Sequence, residues 1–308
     1  MIKDLYEKGS ANGLYLLNSF SKGVASNGSN FLSLTLQDSS GVIEAKKRDV
    51  SNEDIEFLQK SPIIRIEGDV SSFKDRLQVR ISKIHLVDIS TIDISNFVIP
   101  SPIPFEELEK KLDDFIVSIK DVELNKIVSY LINTNRKNFL EYPAAVRNHH
   151  EFYHGLLYHT ISMCNLVDPI ALNYKDVNRD LLLSGCLLHD IGKIVELSGP
   201  LQCHYTVPGN LLGHLTIGML MIHDACKELE ISGETQLLLE HMIVSHHGKL
   251  EYGACELPQT KEAVLLSMID DLDAKMMAIE KAMNNVEEGE FTERIFALDN
   301  HSFYKQNK

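Results

Sequence analysis

Leu181-Leu182-Leu183-Ser184-Gly185-Cys186-Leu187-Leu188-His189-Asp190-Ile191-Gly192-Lys193 begins as an apolar helix and ends on a histidine and an aspartate side by side. Adjacent residues on a helix diverge by ~100°, so such a pair shares a ligand only where the helix end opens into a cavity. Gly192 is expected to permit a tight exit there, and Lys193 sets a cation where a phosphate would arrive. A lone His-Asp pair is more commonly a cap or a solvent-facing pair. Four further segments change the balance. His159 lies in Gly155-Leu156-Leu157-Tyr158-His159-Thr160, and His214 in Leu211-Leu212-Gly213-His214-Leu215. His246 and His247 follow Ile243-Val244-Ser245 and precede Gly248. Asp270 ends the run Val264-Leu265-Leu266-Ser267-Met268-Ile269. Each places His or Asp among aliphatics, where an unpaired polar side chain is costly. One such histidine is ordinarily a satisfied core residue. Five segments of this kind favour mutual satisfaction by metal.

Imidazole and carboxylate donors without clustered thiols suit Mn²⁺, Fe²⁺, Co²⁺ or Zn²⁺ better than Ca²⁺. Six candidate ligands exceed what one tetrahedral site uses. Two metals bridged by Asp190 would account for the surplus. Such a pair acidifies a bridging water and clamps an in-line displacement at phosphorus, while Lys193 could neutralise developing phosphate charge. No Ser-His-Asp motif, Walker loop or dinucleotide fingerprint competes.

Outward from this block, helical spacing runs from Phe105 (Leu108, Leu112, Phe115, Ile116) through an Asp121-capped segment (Leu124, Ile127, Val128, Leu131) to about residue 287. The chain of 308 residues carries a formal charge of −14. Residues 1–100 hold 12 basic and 13 acidic side chains, the remainder 18 and 31. The first part is nearly neutral and can present a local basic face. The second repels polyanions unless bound cations offset its field. Residues 13–87 read mainly as strands: 13–17, 31–36, 42–45, 63–70 and 77–81, with turn signals at 26–30 and 38–41 and a helix opening at Ser51. Five strands and one helix is the count of an OB-type barrel, another small β-barrel being the alternative. Pro100, Pro102 and Pro104 stiffen a connector. The expected fold class is therefore multi-domain, an N-terminal all-β OB-type barrel followed by an all-α helical bundle. Its parts are residues 1–90, a linker over 91–104, and residues 105–308. No stretch approaches the ~20 apolar residues of a spanning helix. Five scattered cysteines without CxxC spacing read as reduced thiols, and the expected localisation is cytoplasmic.

The set His159…His189-Asp190…Asp270 resembles the HD superfamily of metal-dependent phosphohydrolases. Asn148-His149-His150-Glu151-Phe152-Tyr153-His154-Gly155, Leu211-Leu212-Gly213-His214, Ser245-His246-His247-Gly248 and Asp270-Asp271-Leu272-Asp273-Ala274-Lys275 further resemble the YhaM family of 3′–5′ exoribonucleases, which joins an OB-type domain to a C-terminal HD domain. The resemblance implies His159, His189, Asp190 and Asp270 as core metal ligands and His214 and His246 as ligands of a second metal. Asp190 and Lys193 would be catalytic. It also implies two Mn²⁺ as cofactors, homo-oligomerisation, and release of nucleoside 5′-monophosphates from single-stranded RNA, in some members DNA, by metal-activated water. His154 and Tyr158 stand where the family more often has Gly and Glu.

Other assignments are less sharp. His149 and His150 would contact phosphate at the pocket edge or cap the following helix. His247 is expected to stand behind the ligands, ligation of a third metal being the alternative, and Asp271 and Asp273 to orient ligands or neighbouring bases. Lys46, Lys47 and Arg48 form a basic run that would meet nucleic acid or simply be solvated. Tyr15 and Phe31 read as core, stacking platforms for bases being the alternative. Cys186 reads as core packing, and His85, His223 and His301 as incidental. Two rival functions are a nucleotide or cyclic-dinucleotide phosphohydrolase, and a non-catalytic nucleic-acid-binding adaptor.

Overall fold

The structure, a computed structural model, describes residues 1–24, 28–73, 76–145, 152–201 and 203–307. It divides into two compact units, the first built on Met1–Pro100 and the second on Ser101–Gly199 and Cys203–Lys308.

In the first unit, strands β1 (Gly13–Val24), β2 (Asn30–Asp38), β3 (Gly41–Arg48), β4 (Ile63–Phe73) and β5 (Arg76–Leu86) close into a barrel in the order β1-β2-β3-β5-β4. Helix α1 (Asn52–Lys60) connects β3 to β4. All pairings are antiparallel except β3 with β5. Period-2 alternation turns Leu32, Leu34, Leu36, Ile43, Ala45, Val79 and Ile81 inward to a continuous core. The strands outrun their apolar stretches. β1 continues through an exposed end to Val24, held by pairing with β2 rather than by burial. The 26–30 turn falls partly outside the described residues. The Asp38–Gly41 turn is fixed by Asp38, whose Oδ1 accepts from Ser40 N at 2.8 Å.

The connector departs from expectation. Two 3₁₀ turns, Ile89–Thr91 and Ile94–Asn96, are capped by Asp88 and Asp93. Phe97 and Val98 beyond them are buried, and Gln37 Nε2 donates to Phe97 O at 3.1 Å. Residues up to about 98 therefore belong to the barrel unit.

Lys47 corrects the basic run. It follows Ile43 and Ala45 on the inward face and is 6% exposed. Its Nζ donates to Ser82 O at 3.0 Å and lies 3.5 Å from Asp54 Oδ2. Asp54 in turn accepts from Ser51 N at 2.8 Å in a capping box that starts α1. Lys47 thus ties α1 to the barrel and offers no free cation to a polyanion, whereas Lys46 is half-buried and Arg48 exposed. Lys47→Ala should lower stability by about 3 kcal/mol, the low end for breaking a buried ion pair because Asp54 keeps its cap hydrogen bonds. Urea unfolding followed by circular dichroism checks this; a change under 1 kcal/mol would contradict the assignment.

The second unit packs α2 (Phe105–Ser118), α3 (Val122–Thr134), α4 (Arg136–Glu141), α5 (Gly155–Asn173), α6 (Arg179–Leu188), α7 (Lys193–Glu196), α8 (Val207–Glu228), α9 (Glu234–Ser245) and α10 (Lys261–Met283). Every residue of α6 from Leu181 to Leu188 is buried, so this helix is apolar all round and lies in the core. Its neighbours α3, α5, α9 and α10 surround it. Asp121 caps α3 as expected, its Oδ1 accepting from Leu124 N at 3.0 Å. After α10 the chain is not helical as far as residue 287. It forms isolated bridges, Phe291 with Tyr304 and Ile295 with His301.

Candidate metal centre

Helix α6 ends at Leu188 and delivers His189 and Asp190 directly from the core. Helix α5 brings His159, α8 brings His214, the end of α9 brings His246 and His247, and α10 brings Asp270. Their donor atoms form two groups, each able to hold one ion: His159, His189 and Asp270, and His214, His246 and His247. Asp190 stands between the groups. Its Oδ2 lies 3.2 Å from His189 Nε2 and 3.8 Å from His159 Nε2. Its Oδ1 lies 3.4 Å from His214 Nε2 and 3.8 Å from His246 Nε2. One oxygen faces each group, the geometry of a bridging carboxylate. All six ligands expected from the sequence thus converge. His247 joins the second group of donors, which favours the ligand alternative over a place behind them.

The imidazoles are all held by the same device. His189 Nδ1 donates to Cys186 O (2.9 Å), His246 Nδ1 to Ile243 O (2.7 Å) and His247 Nδ1 to Tyr252 O (2.8 Å). His159 Nδ1 donates to Asp273 Oδ2 (2.7 Å) and His214 Nδ1 to Glu196 Oε1 (3.0 Å). Carbonyls and carboxylates only accept, so each Nδ1 carries a proton, and the Nε2 of each ring that is neutral presents a lone pair inward. Lone pairs cannot satisfy one another. His159 and His189 bring Nε2 atoms to 3.1 Å. The buried His246 Nε2 has no hydrogen-bond partner among the described residues. A cation in each group resolves both conflicts, and the nitrogen and oxygen donors fit a divalent transition metal.

Without a bound cation the carboxylates instead hold a proton on His159, which an ion at its Nε2 would displace. Burial pushes the His159 pKa down, but Asp270 and Asp273 outweigh it and raise the value to about 9. Burial, then His189, hold His246 well below the usual imidazole range, so it is neutral. Asp190 is held well below the carboxylate range: burial opposes its charge, but Lys193 above all, with His189 and His214, prevails. Asp270 is lowered against burial, chiefly by His159. Lys193 Nζ sits 2.7 Å from Asp190 Oδ2, and that pairing keeps it an ammonium despite its burial.

Supporting residues divide into those foreseen and those missed. Asp273 orients His159 as expected, and Ser162 Oγ donates to its other oxygen. Asp271 pairs with Lys275 at 2.6 Å and lines the cavity that opens onto the centre. His149 and His150 lie outside the described residues. His154 adopts a left-handed conformation (φ 67°), one that favours glycine. Glu196 was missed. Its Oε1 accepts from both the Nδ1 and the backbone N of His214, at 3.0 Å each. Glu196→Ala should weaken binding at the His214 group about 10–100-fold, the usual effect of losing such a partner. Competition with a chelating dye measures it; unchanged affinity for both ions would remove Glu196 from the site.

A cavity of about 280 Å³ opens onto the centre, lined by His159, Asp190, Lys193, His246, Tyr252 and Asp270 among others. It stands at the small end of the ~300–1,000 Å³ range of ligand pockets.

On the barrel, Phe31 is half-buried, not core, and packs over Gly23, where a Cβ would come within 2.4 Å of its ring. Tyr15 is core, at 5% exposed. Lys46 Nζ lies 5.5 Å from the Phe31 ring centroid and 5.7 Å from that of Phe73. Arg80 pairs with Lys46 in the β3–β5 register and is exposed. Phe73 and Arg80 were not singled out from the sequence, although each lies at an outward position of its strand.

Comparison with known families matches residues 156–275 to the HD domain and residues 18–87 to an OB-fold nucleic acid binding domain. Among solved structures, the second OB-fold domain of replication protein A from Methanococcus maripaludis is 19% identical. The alignment covers 30% of this chain and 97% of that one, with a TM-score of 0.24. PriB from Ralstonia solanacearum is 14% identical over 26% of this chain and 98% of its own, with a TM-score of 0.21. Aspartyl tRNA synthetase from Entamoeba histolytica is 14% identical over 56% of this chain and 36% of its own, with a TM-score of 0.22. The chain thus combines an HD domain, the mark of a metal-dependent phosphohydrolase, with a nucleic-acid-binding OB fold.

Proposed function

We propose that this HD domain, joined to an OB-fold barrel, makes the protein a divalent-metal-dependent 3′–5′ exoribonuclease that releases nucleoside 5′-monophosphates from single-stranded RNA. The observation that carries the reading is Asp190, one oxygen turned to each of two three-donor groups, with Lys193 beside it. His159, His189 and Asp270 would hold one cation and His214, His246 and His247 the other. Bound there, such cations supply Lewis acidity towards phosphoryl oxygens and an acidified water near neutral pH. Lys193 adds a fixed positive charge where a phosphodiester must be accepted by an otherwise acidic unit. The five Nδ1 hydrogen bonds fix the rings before substrate arrives. The barrel supplies Lys46, Arg48 and Arg80 for backbone phosphates, and Phe31 and Phe73 as aromatic faces for bases.

The choice of RNA, the 3′ starting point and Mn²⁺ rest on the resemblance of the histidine and aspartate blocks to the YhaM family. The test is incubation of 5′-labelled single-stranded RNA with the full chain and Mn²⁺. A ladder shortening from the 3′ end, with 5′-monophosphate products, is expected. Intact RNA alongside hydrolysis of free nucleotides or cyclic dinucleotides would overturn the assignment in favour of a small-molecule phosphohydrolase.

A further inference from the structure

Helix α9 passes into a tight loop after His246 and His247, and this loop carries a group the metal centre does not use. Tyr252 ends a 3₁₀ turn, Leu250–Tyr252, between Gly248 (φ 74°) and Gly253 (φ 91°). Its backbone is locked. Tyr252 N donates to Lys249 O at 3.0 Å, Lys249 N to His247 O at 2.9 Å, and Cys255 N to Val244 O at 2.9 Å. Its carbonyl holds His247 Nδ1. The side chain has a different situation. Tyr252 is 61% exposed and lines the mouth of the metal cavity. Lys249 Nζ stands 5.0 Å from its ring centroid. Lys275, paired with Asp271, is near enough for its charge to sense the phenol.

An exposed aromatic tyrosine on a rigid loop has little conformational entropy left to lose on stacking. Aromatic faces flanked by cations are how proteins hold single-stranded nucleic acid without reading its sequence. Other exposed aromatics of this unit, such as Phe296, do not line this cavity. We infer that the Tyr252 ring is a stacking platform for a base at the 3′ end of the strand, with Lys249 placed to meet an adjacent phosphate. The inference rests on the nucleic-acid-hydrolase reading and extends it: the helical unit itself recognises the base-bearing end, independently of the barrel.

The experiment uses the full chain, Mn²⁺ and three 5′-labelled RNA strands. One is intact, one lacks its terminal base, and one lacks the preceding base. Stacking on one aromatic is worth ~1–3 kcal/mol, so removing the stacked base should raise KM by about 5–150-fold in the wild type. Tyr252→Ala should erase that discrimination, bringing the ratio of KM values near one. Tyr252→Phe should keep it, because the ring and not the hydroxyl does the stacking. Metal affinity is measured in parallel by dye competition. It should hold in both variants, since the carbonyl on His247 is unchanged. Three results overturn the inference: a wild type indifferent to both missing bases, Tyr252→Ala retaining the discrimination, or Tyr252→Ala losing kcat and metal affinity together. A wild type that cleaves none of the strands removes the nuclease reading and this inference with it, so the two failures are told apart.

Discussion

Asp190→Asn should reduce phosphodiester cleavage by more than about 10³-fold, the upper scale on which removing one preorganised electrostatic group acts. The carboxylate serves two groups of histidines through separate oxygens. An asparagine keeps the shape but replaces one acceptor with an NH₂ donor and removes the negative charge. Whichever way the amide turns, one group faces a donor where it needs a ligand. Lys193 then loses the carboxylate 2.7 Å away that offsets its burial. An orphaned buried charge costs about 3–5 kcal/mol, so the variant should also unfold earlier. Rate, metal content after dialysis and circular dichroism are therefore measured together. The expected result is a folded protein with fewer than two ions and activity at the detection limit. A variant that binds two ions and retains a tenth of the rate would show that Asp190 does not bridge.

What the sequence disclosed follows from how strongly each feature is tied to a period. The buried faces of α2 and α3 repeat at helical spacing, and Leu108, Leu112, Leu124, Ile127 and Val128 are all buried. The five segments that build the candidate metal centre were legible because a histidine or aspartate ending an apolar run is costly without a partner. Lys47 shows a signal that was present and overlooked. Alternation puts it on the face of Ile43 and Ala45, so its charge belonged with the core and needed a partner there, which Asp54 supplies. His247 could not be assigned from adjacency alone. Both His246 and His247 face the centre because the helix ends there and the loop carbonyl of Tyr252 turns the second ring inward. Glu196 and Tyr252 left no periodic trace, since each acts through a contact made by a short element or loop.

Gly192 meets its constraint through close packing and not through its backbone angles. A tight exit suggests an unusual backbone, yet its φ of −62° and ψ of −20° are ordinary helical values. The constraint is a close approach. A Cβ there would stand 2.1 Å from His214 O and 2.7 Å from Gly218 N, so the backbone of α8 lies against it. Gly209 makes the same kind of contact with Glu196, its Cβ position 2.3 Å from Glu196 O. Together they let α7 and α8 come close enough for Glu196 to hold His214. Side chains can rotate away from an added methyl, but these obstructions are main chain and move only with a whole helix. Gly192→Ala should therefore cost at least about 4 kcal/mol, beyond the ~1–3 kcal/mol of ordinary overpacking. For a chain of this size that corresponds to a fall in Tm of roughly 8–16 °C. Any folded fraction should lose affinity at the His214 group first, because that histidine is displaced directly while the His159 group stays on α5, α6 and α10. Thermal unfolding and a two-site metal titration test both parts. A variant with native Tm and two equal sites would show that α7 and α8 do not approach as closely as described.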